Sequence, residues 1–367
     1  MSDDPIGEIY SSASFLDDGH QEFRHGSAFY EDHIFVSIIL DMNSTHMRMM
    51  EEILQTIQDE NRIDQKFLYI EPVSVQKWNR LISCDEYNTY RDCLSALERF
   101  TRSEFWIDYA KKNSLRNIVD LGVGAGIKDY EIIKSLHEIH DRDAIHFVLL
   151  DTSFPMLETT ILDIRKKNND QTYSKRTSGV PHANLIIRAI RTDFLHLNRC
   201  QHLLRAADSP VAFFMLGCTF SNLSEAQFVR SLLSATKAGD LFVVGVDLYD
   251  SSQKESSIER LKAEYNHSQL YDLASIPINS YLRGHASKLD GSVQVSVEPG
   301  VLHSDVRDAL TVTISTKIND QLIRLAASSR YMETSLIQFI QEFGFTYRYK
   351  QVSPRNPNYV QIAFERN

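Results

Sequence analysis

An acid and three glycines at alternate positions, Asp120, Gly122, Gly124 and Gly126, lie in the stretch NIVDLGVGAGIKDYEII. Glycines at this spacing let a backbone turn sharply and approach a ligand closely where a buried strand ends. A dinucleotide fingerprint, G-x-G-x-x-G, would put its third glycine where this chain has Ile127. An acid opening the loop would also repel a pyrophosphate, whereas it suits a cation. S-adenosylmethionine carries an ammonium, a sulfonium and a carboxylate and no phosphate, so it is the cofactor these residue types favour.

Two further acids stand at the ends of the next apolar runs. AIHFVLLD closes on Asp151, placed to accept hydrogen bonds from ribose hydroxyls at the carboxyl edge of a sheet. NLIIRAIRTDF closes on Asp193 and Phe194, an acceptor for an adenine amino group and a ring to pack on the base. Taken singly, each is equally an ordinary strand-to-helix turn or a helix N-cap. The ordered trio at the ends of three successive strands is what points to a Rossmann-like methyltransferase.

The elements that must position these residues are visible in the texture of the chain. From Ile118 onward short apolar runs (NIVDL, AIHFVLLD, PVAFFMLGC, GDLFVVGVDL) alternate with longer amphipathic ones (DYEIIKSLHEIH, FPMLETTILDIRKK, EAQFVRSLLSATK). That is the signature of βαβ units on a parallel sheet. Residues 1–95 are rich in Met, acids and helix-like spacing. The segment 251–327 interrupts the rhythm with helix-like IERLKAEYN and strand-like GSVQVSVEPG and ALTVTISTKI. The expected architecture is α/β: a Rossmann-like class I methyltransferase domain over 96–250, completed by a helix and strands in 328–367. Residues 1–95 and the insertion 251–327 then meet as a second, substrate-binding lobe. The polar tract NNDQTYSKRTSGVPH reads as a surface loop.

The chain has 367 residues, 43% hydrophobic, with a net charge of -10. Its basic runs, Arg165-Lys166-Lys167 and Lys175-Arg176, lack interleaved aromatics, which argues against a nucleic-acid partner. Cys84, Cys93, Cys200 and Cys218 form no CxxC pair and suit a reducing compartment. The N-terminus MSDDPIGEIY is acidic where a secretion signal is basic and then apolar. No apolar run reaches the roughly 18 residues of a membrane helix. A cytoplasmic protein without a membrane partner is expected. His137 and His140, three apart, lack a third metal ligand, so no metal site is expected.

Beyond the adenine site, FFMLGCTFSNLSEAQ and KAGDLFVVGVDL resemble the histidine-specific S-adenosylmethionine-dependent methyltransferases of ergothioneine biosynthesis and related amino-acid N-methyltransferases. Leu216, Gly217, Cys218, Thr219 and Asn222 match the family's LG-S-T-x-x-N signature, and AEYNH and SSRYMETSLIQFIQEFGF are similar to its later segments. The resemblance runs from about Leu115 to Asn367. It implies a methyltransferase domain with a second lobe, and it assigns Gly217 to the cofactor. Asn222 is implied to hold the amine or carboxylate of an amino-acid substrate, and Tyr265 to hydrogen-bond its carboxylate. Cys218 stands at a position of serine and is expected to pack. The family's imidazole-binding glutamate aligns with Leu310 in DALTVTIST, with Asp308 the nearest acid, so the expected substrate is an amino acid or derivative other than histidine, such as arginine or an aromatic one. DEYNTYRD, with Tyr87 and Tyr90, is a weak echo of the family's Y-Y-P-T-R. No catalytic base is identified. Transfer of the cofactor's aminocarboxypropyl group and a catalytically silent binding partner are the alternatives.

Overall fold

The computed structural model describes residues 23–31, 34–43, 46–85, 87–140, 144–175, 185–206, 209–284, 294–299, 304–318 and 321–367. The strands are β1 (Phe23–Glu31), β2 (Ile34–Asp41), β3 (Asn117–Leu121), β4 (Ile145–Asp151), β5 (Leu185–Arg191) and β6 (Val211–Met215). They continue with β7 (Leu241–Asp247), β8 (Gln294–Pro299), β9 (Leu310–Ile318), β10 (Gln321–Arg330), β11 (Phe345–Val352) and β12 (Tyr359–Arg366).

Nine of these form one sheet in the order β1-β2-β5-β4-β3-β6-β7-β12-β11. Strands β2 to β7 pair in parallel with their neighbours, and β1, β12 and β11 pair antiparallel at the two edges. All residues of β3, β6 and β7 are buried, as strands covered on both faces must be. One face carries Cys93, Leu97 and Phe100 of the helix Thr89–Phe100 together with Ile132 and Leu136 of the helix Ile127–Ile139. The opposite face is covered by Phe228 and Leu232 of the helix Glu225–Ala235 and by Leu336 and Ile340 of the helix Glu333–Glu342.

The chain winds from β3 outward through β4 to β5, then returns to β6 and β7 on the other side of β3. The carboxyl ends of β3, β4 and β6 therefore splay apart around one crevice, where an open α/β sheet takes its ligand. This is the Rossmann-like α/β architecture expected from the sequence.

Strands β8, β9 and β10 form a separate antiparallel sheet. Ile314, Ile323 and Leu325 of this sheet bury with Met49, Ile53 and Ile57 of the helix His46–Glu60, with Phe67 and Leu68, and with Ala274 and Ile278. The N-terminal segment is thus shared between two bodies. Its helix Met49 side packs on the small sheet, while β2 lies against β5 in the large sheet and Thr89–Phe100 covers that sheet's face. The run IFVSIILD makes β2 because its β-branched, two-face apolar pattern fits a buried parallel strand; helix-like spacing begins only after it. The tract at 168–182 also departs from a surface loop: the helix Phe154–Lys175 runs through its first half, and 176–182 lie outside the described residues.

Candidate active site

Gly122 follows β3 at φ +83°, a conformation costly for any side chain, and its N–H donates to Leu150 O at 3.0 Å. A Cβ there would sit 2.9 Å from Thr219 Cγ2. Gly122, Val123 and Gly124 line a cavity at the carboxyl ends of the strands. Gly126 serves the loop from behind, outside the cavity lining. It holds φ +66° and leads into the helix Ile127–Ile139, and a Cβ on it would meet Asp163 Cβ at 2.7 Å and Thr160 O at 3.0 Å.

Asp120 is buried at 1% exposure and also lies outside the cavity lining. Burial, with the Asp129 carboxyl beside it, pushes its pKa well above the usual carboxylate range, and Lys128 opposes the shift. Lys128 is the residue sequence reasoning missed. It comes two positions after Gly126, is 4% exposed, and lines the cavity with its ammonium between the loops of Gly124 and Gly217. Burial works against its charge, but Asp120, Cys93 and Asp129 outweigh that and hold its pKa above the ordinary lysine value. The cation next to Asp120 is therefore this chain's own. A lysine four residues beyond a glycine that faces a ligand was the available signal.

Asp151 ends β4 and lines the cavity. Its Oδ1 accepts the Ser153 N–H at 2.7 Å, and burial pushes its pKa up to about 7 despite that bond and others from the backbone. Phe194 lines the cavity with its ring edge-on to Phe228 at 6.2 Å. Asp193 instead faces the adjoining, more open cleft. Its Oδ1 accepts the Leu195 N–H at 2.9 Å, and its Oδ2 pairs with Lys66 Nζ at 3.0 Å. Lys66 also reaches Glu52 at 2.5 Å, tying the helix His46–Glu60 to the end of β5.

After β6 the chain turns through Gly217 (φ +69°) and Cys218 (φ +63°) into the short helical turn Phe220–Asn222. The Gly217 N–H donates to Tyr359 Oη at 3.2 Å and the Cys218 N–H to Gly245 O at 3.2 Å. Burial pushes the Cys218 thiol up to about 12, so it stays protonated at neutral pH and is no nucleophile. Asn222 does not cap the next helix, whose N-cap is Ser224. Its Oδ1 is buried without a hydrogen-bond partner, and the residue lines the cavity.

Tyr265, the last residue of the helix Lys254–Tyr265, closes the cavity from the second lobe. Its hydroxyl accepts from Arg330 Nη2 at 3.1 Å. The fully buried Arg330 also donates from Nε to Asp247 Oδ2 at 2.9 Å and from Nη1 to Ser328 Oγ at 2.9 Å. Neither Arg330 nor Asp247 was visible as a site residue in the sequence.

Leu310 is a correction. It opens β9 opposite Arg330, buried at 0% exposure in a cluster with Tyr249 and Leu261, and does not line the cavity. The small sheet presents Ile314 from β9 and Ala326, Ala327 and Ser328 from β10 instead. Asp308 is an exposed turn residue at φ +59° whose carbonyl accepts the Tyr249 hydroxyl. Tyr87 and Tyr90 both line the cavity, joined by Tyr69 and Trp78, which the sequence did not single out. Among the described residues no group of three or more His, Cys, Asp or Glu is placed to hold a metal, and no helix is long and apolar enough to cross a membrane.

The strand ends carry a glycine turn, a terminal acid and a small-residue loop around one cavity, at the crevice where an open α/β sheet takes its ligand. Residues 49–273 match the family model of histidine-specific, S-adenosylmethionine-dependent methyltransferases, and the chain belongs to that family. A search of curated proteins finds no match to this chain.

Among solved structures it is similar to 1,6-didemethyltoxoflavin-N1-methyltransferase of Burkholderia thailandensis, at 11% identity over 80% of this chain and 88% of that one, with a TM-score of 0.36. Magnesium protoporphyrin IX methyltransferase of Synechocystis PCC 6803 is 9% identical over 87% of this chain and 100% of that one, with a TM-score of 0.38. Human N-acetylserotonin methyltransferase is 11% identical over 89% and 68%, with a TM-score of 0.40. At that distance the family match alone identifies the chain.

Proposed function

We propose that the protein is an S-adenosylmethionine-dependent N-methyltransferase of a free amino acid or amino-acid derivative. The observation that carries this is Asn222: a buried carbonyl oxygen without a partner, on the loop between the glycine turn and Tyr265, where an acceptor left unpaired is costly. A substrate ammonium or amine supplies the missing donor. Tyr265, its oxygen already accepting from Arg330, turns its own O–H toward a substrate carboxylate.

The residues at the other end fit the cofactor. Gly122 and Gly124 allow close backbone approach, Lys128 suits the cofactor's carboxylate, Asp151 the ribose hydroxyls and Phe194 the face of the adenine, while Asp193, paired with Lys66, faces the adjoining cleft. When bound, the sulfonium supplies a methyl group activated for displacement.

The chain's task is then to hold a neutral amine in line with that methyl, with the reacting atoms about 3–3.5 Å apart. Burial raises the pKa of Tyr69, Tyr87 and Tyr265 above the ordinary tyrosine value. They therefore stay protonated and serve as donors, and the amine's proton leaves to water before attack.

Histidine is disfavoured because Asp151, at the cofactor end, is the one carboxylate among the described residues that line the cavity. Arginine and aromatic amino acids are the candidates. Incubation with S-adenosylmethionine and a panel of amino acids, with products identified by mass, tests the reading. N-methylated amino acid is expected, and cofactor binding without turnover of any amino acid would refute it.

A further inference from the structure

We infer that the substrate's side chain is an uncharged aromatic ring. The inference rests on the amino-acid reading above and narrows it to one class of side chain.

The second lobe's end of the cavity is a corner of three aromatic rings. Trp78, on the helix Pro72–Ile82, stands edge-on to Tyr69 at 5.5 Å and 80° and to Tyr87 at 6.1 Å and 74°. Leu270 and Leu273 pack on the same corner. All five line the cavity shared with Asn222 and Tyr265. Rings meeting near right angles leave a recess whose walls offer both faces and edges, the arrangement in which a further ring gains most, with the Trp78 Nε1–H buried beside it without a partner. An amino acid anchored at Asn222 and Tyr265 projects its side chain away from the strand ends, toward this recess.

The nearby carboxylates Glu264 and Asp247 stand outside the cavity lining. Glu264, whose charge is felt at Tyr87, accepts from Thr89 Oγ1 at 2.9 Å. Asp247 is paired with Arg330 at 2.9 Å. Burial keeps Tyr69 and Tyr87 neutral, so neither supplies an anion. A guanidinium would bring five N–H donors into a wall of ring faces and leucine methyls. Cation–π attraction to the rings is smaller than the cost of stripping five donors of water where few acceptors face them. A neutral imidazole brings two polar nitrogens, one donor and one acceptor, to the same walls. Phenylalanine carries no polar group on its ring, and tyrosine and tryptophan carry one each, so these rings cost least against such walls.

The test is competition among equimolar phenylalanine, tyrosine, tryptophan, leucine, histidine and arginine in the presence of S-adenosylmethionine, with methylated products read by mass. An aromatic amino acid is expected to exceed both arginine and histidine by at least about tenfold in kcat/KM. Trp78→Leu should lower kcat/KM for that substrate by about 10- to 100-fold, with affinity for S-adenosylhomocysteine unchanged. Trp78→Phe, a milder change should Trp78→Leu fold poorly, should retain most of the activity. Dominant methylation of arginine, histidine or leucine, or an unaltered preference in folded Trp78→Leu, would overturn the aromatic assignment while leaving amino-acid N-methylation standing. No methylated amino acid despite intact S-adenosylhomocysteine binding would remove the amino-acid reading itself, and this inference with it.

Discussion

Arg330 donates from Nη2 to the Tyr265 hydroxyl at 3.1 Å, and its guanidinium lies 5.5 Å from the centre of the same ring. One cation from β10 thus fixes the position of the tyrosine, and Ser328 stands within hydrogen-bond reach of the same hydroxyl. On the proposed reading the O–H turns to the substrate. Tyr265→Phe is expected to weaken substrate binding by about tenfold while leaving S-adenosylhomocysteine affinity unchanged, measured by calorimetry. Arg330→Met should be far more damaging to the fold, by about 3 kcal/mol, because it leaves the buried Asp247 carboxylate with only the 3.4 Å pairing to Arg260. Chemical denaturation reads that loss.

Lys128 gives the glycine loop its charge. Lys128→Met is expected to lower affinity for S-adenosylhomocysteine by about 10- to 100-fold, the value of a charge-assisted hydrogen bond. Gly124→Val should act in the same direction, since a Cβ there already meets Lys128 Cε at 3.4 Å and a branched side chain projects further into the site. Wild-type affinity in either variant, measured by calorimetry, would remove that residue from the cofactor site.

As the proposed partner of the ribose hydroxyls, Asp151 makes cofactor binding pH-dependent. Burial raises its pKa from the ordinary 3.8 to about 7 in the folded protein. The folded state therefore binds this proton more tightly than the unfolded one, and stability falls as pH rises between those values. Ribose hydroxyls donate to the ionised carboxylate, so S-adenosylhomocysteine affinity should rise with pH by up to about tenfold per unit below about pH 7 and level off above it. Asp151→Asn should flatten the profile. Thermal melting with and without S-adenosylhomocysteine across this range measures both effects.

Asn222→Ala removes the partnerless acceptor. Substrate affinity should fall by about 10- to 100-fold, with cofactor affinity retained, and titration of each ligand separates the two. Unchanged substrate affinity would return Asn222 to a role in the loop alone.

Part of the set proposed for the cofactor shares one cavity because those residues sit at strand ends within one run of βαβ units, where glycine spacing and a terminal acid are local signals. Gly122, Gly124, Asp151 and Phe194 come together in one cavity for that reason. Lys128 was hidden by its place on an amphipathic helix, where a lysine is ordinarily solvated.

The end of the cavity proposed for the substrate comes from residues far apart in sequence. Tyr69, Trp78 and Tyr87 meet Tyr265 and Ser328 only once the small sheet has packed on the helix His46–Glu60. No spacing within one segment encodes that meeting. Leu310 shows the limit most plainly. Every second residue of LTVTIST offers the same face, so alternation gives the face and leaves open which rung reaches the cavity. Ile314 does, and Leu310 lies on that face roughly 13 Å away along the strand.

Methyl transfer to an amino-acid nitrogen is tested most directly with S-adenosylmethionine deuterated in its methyl group. After incubation with the aromatic amino acids, the label should appear on the amino nitrogen of the product, with unlabelled S-adenosylhomocysteine released. Label retained in a methylthio by-product, beside an amino acid enlarged by an aminocarboxypropyl group, would contradict the account. So would label found nowhere but in the unreacted cofactor.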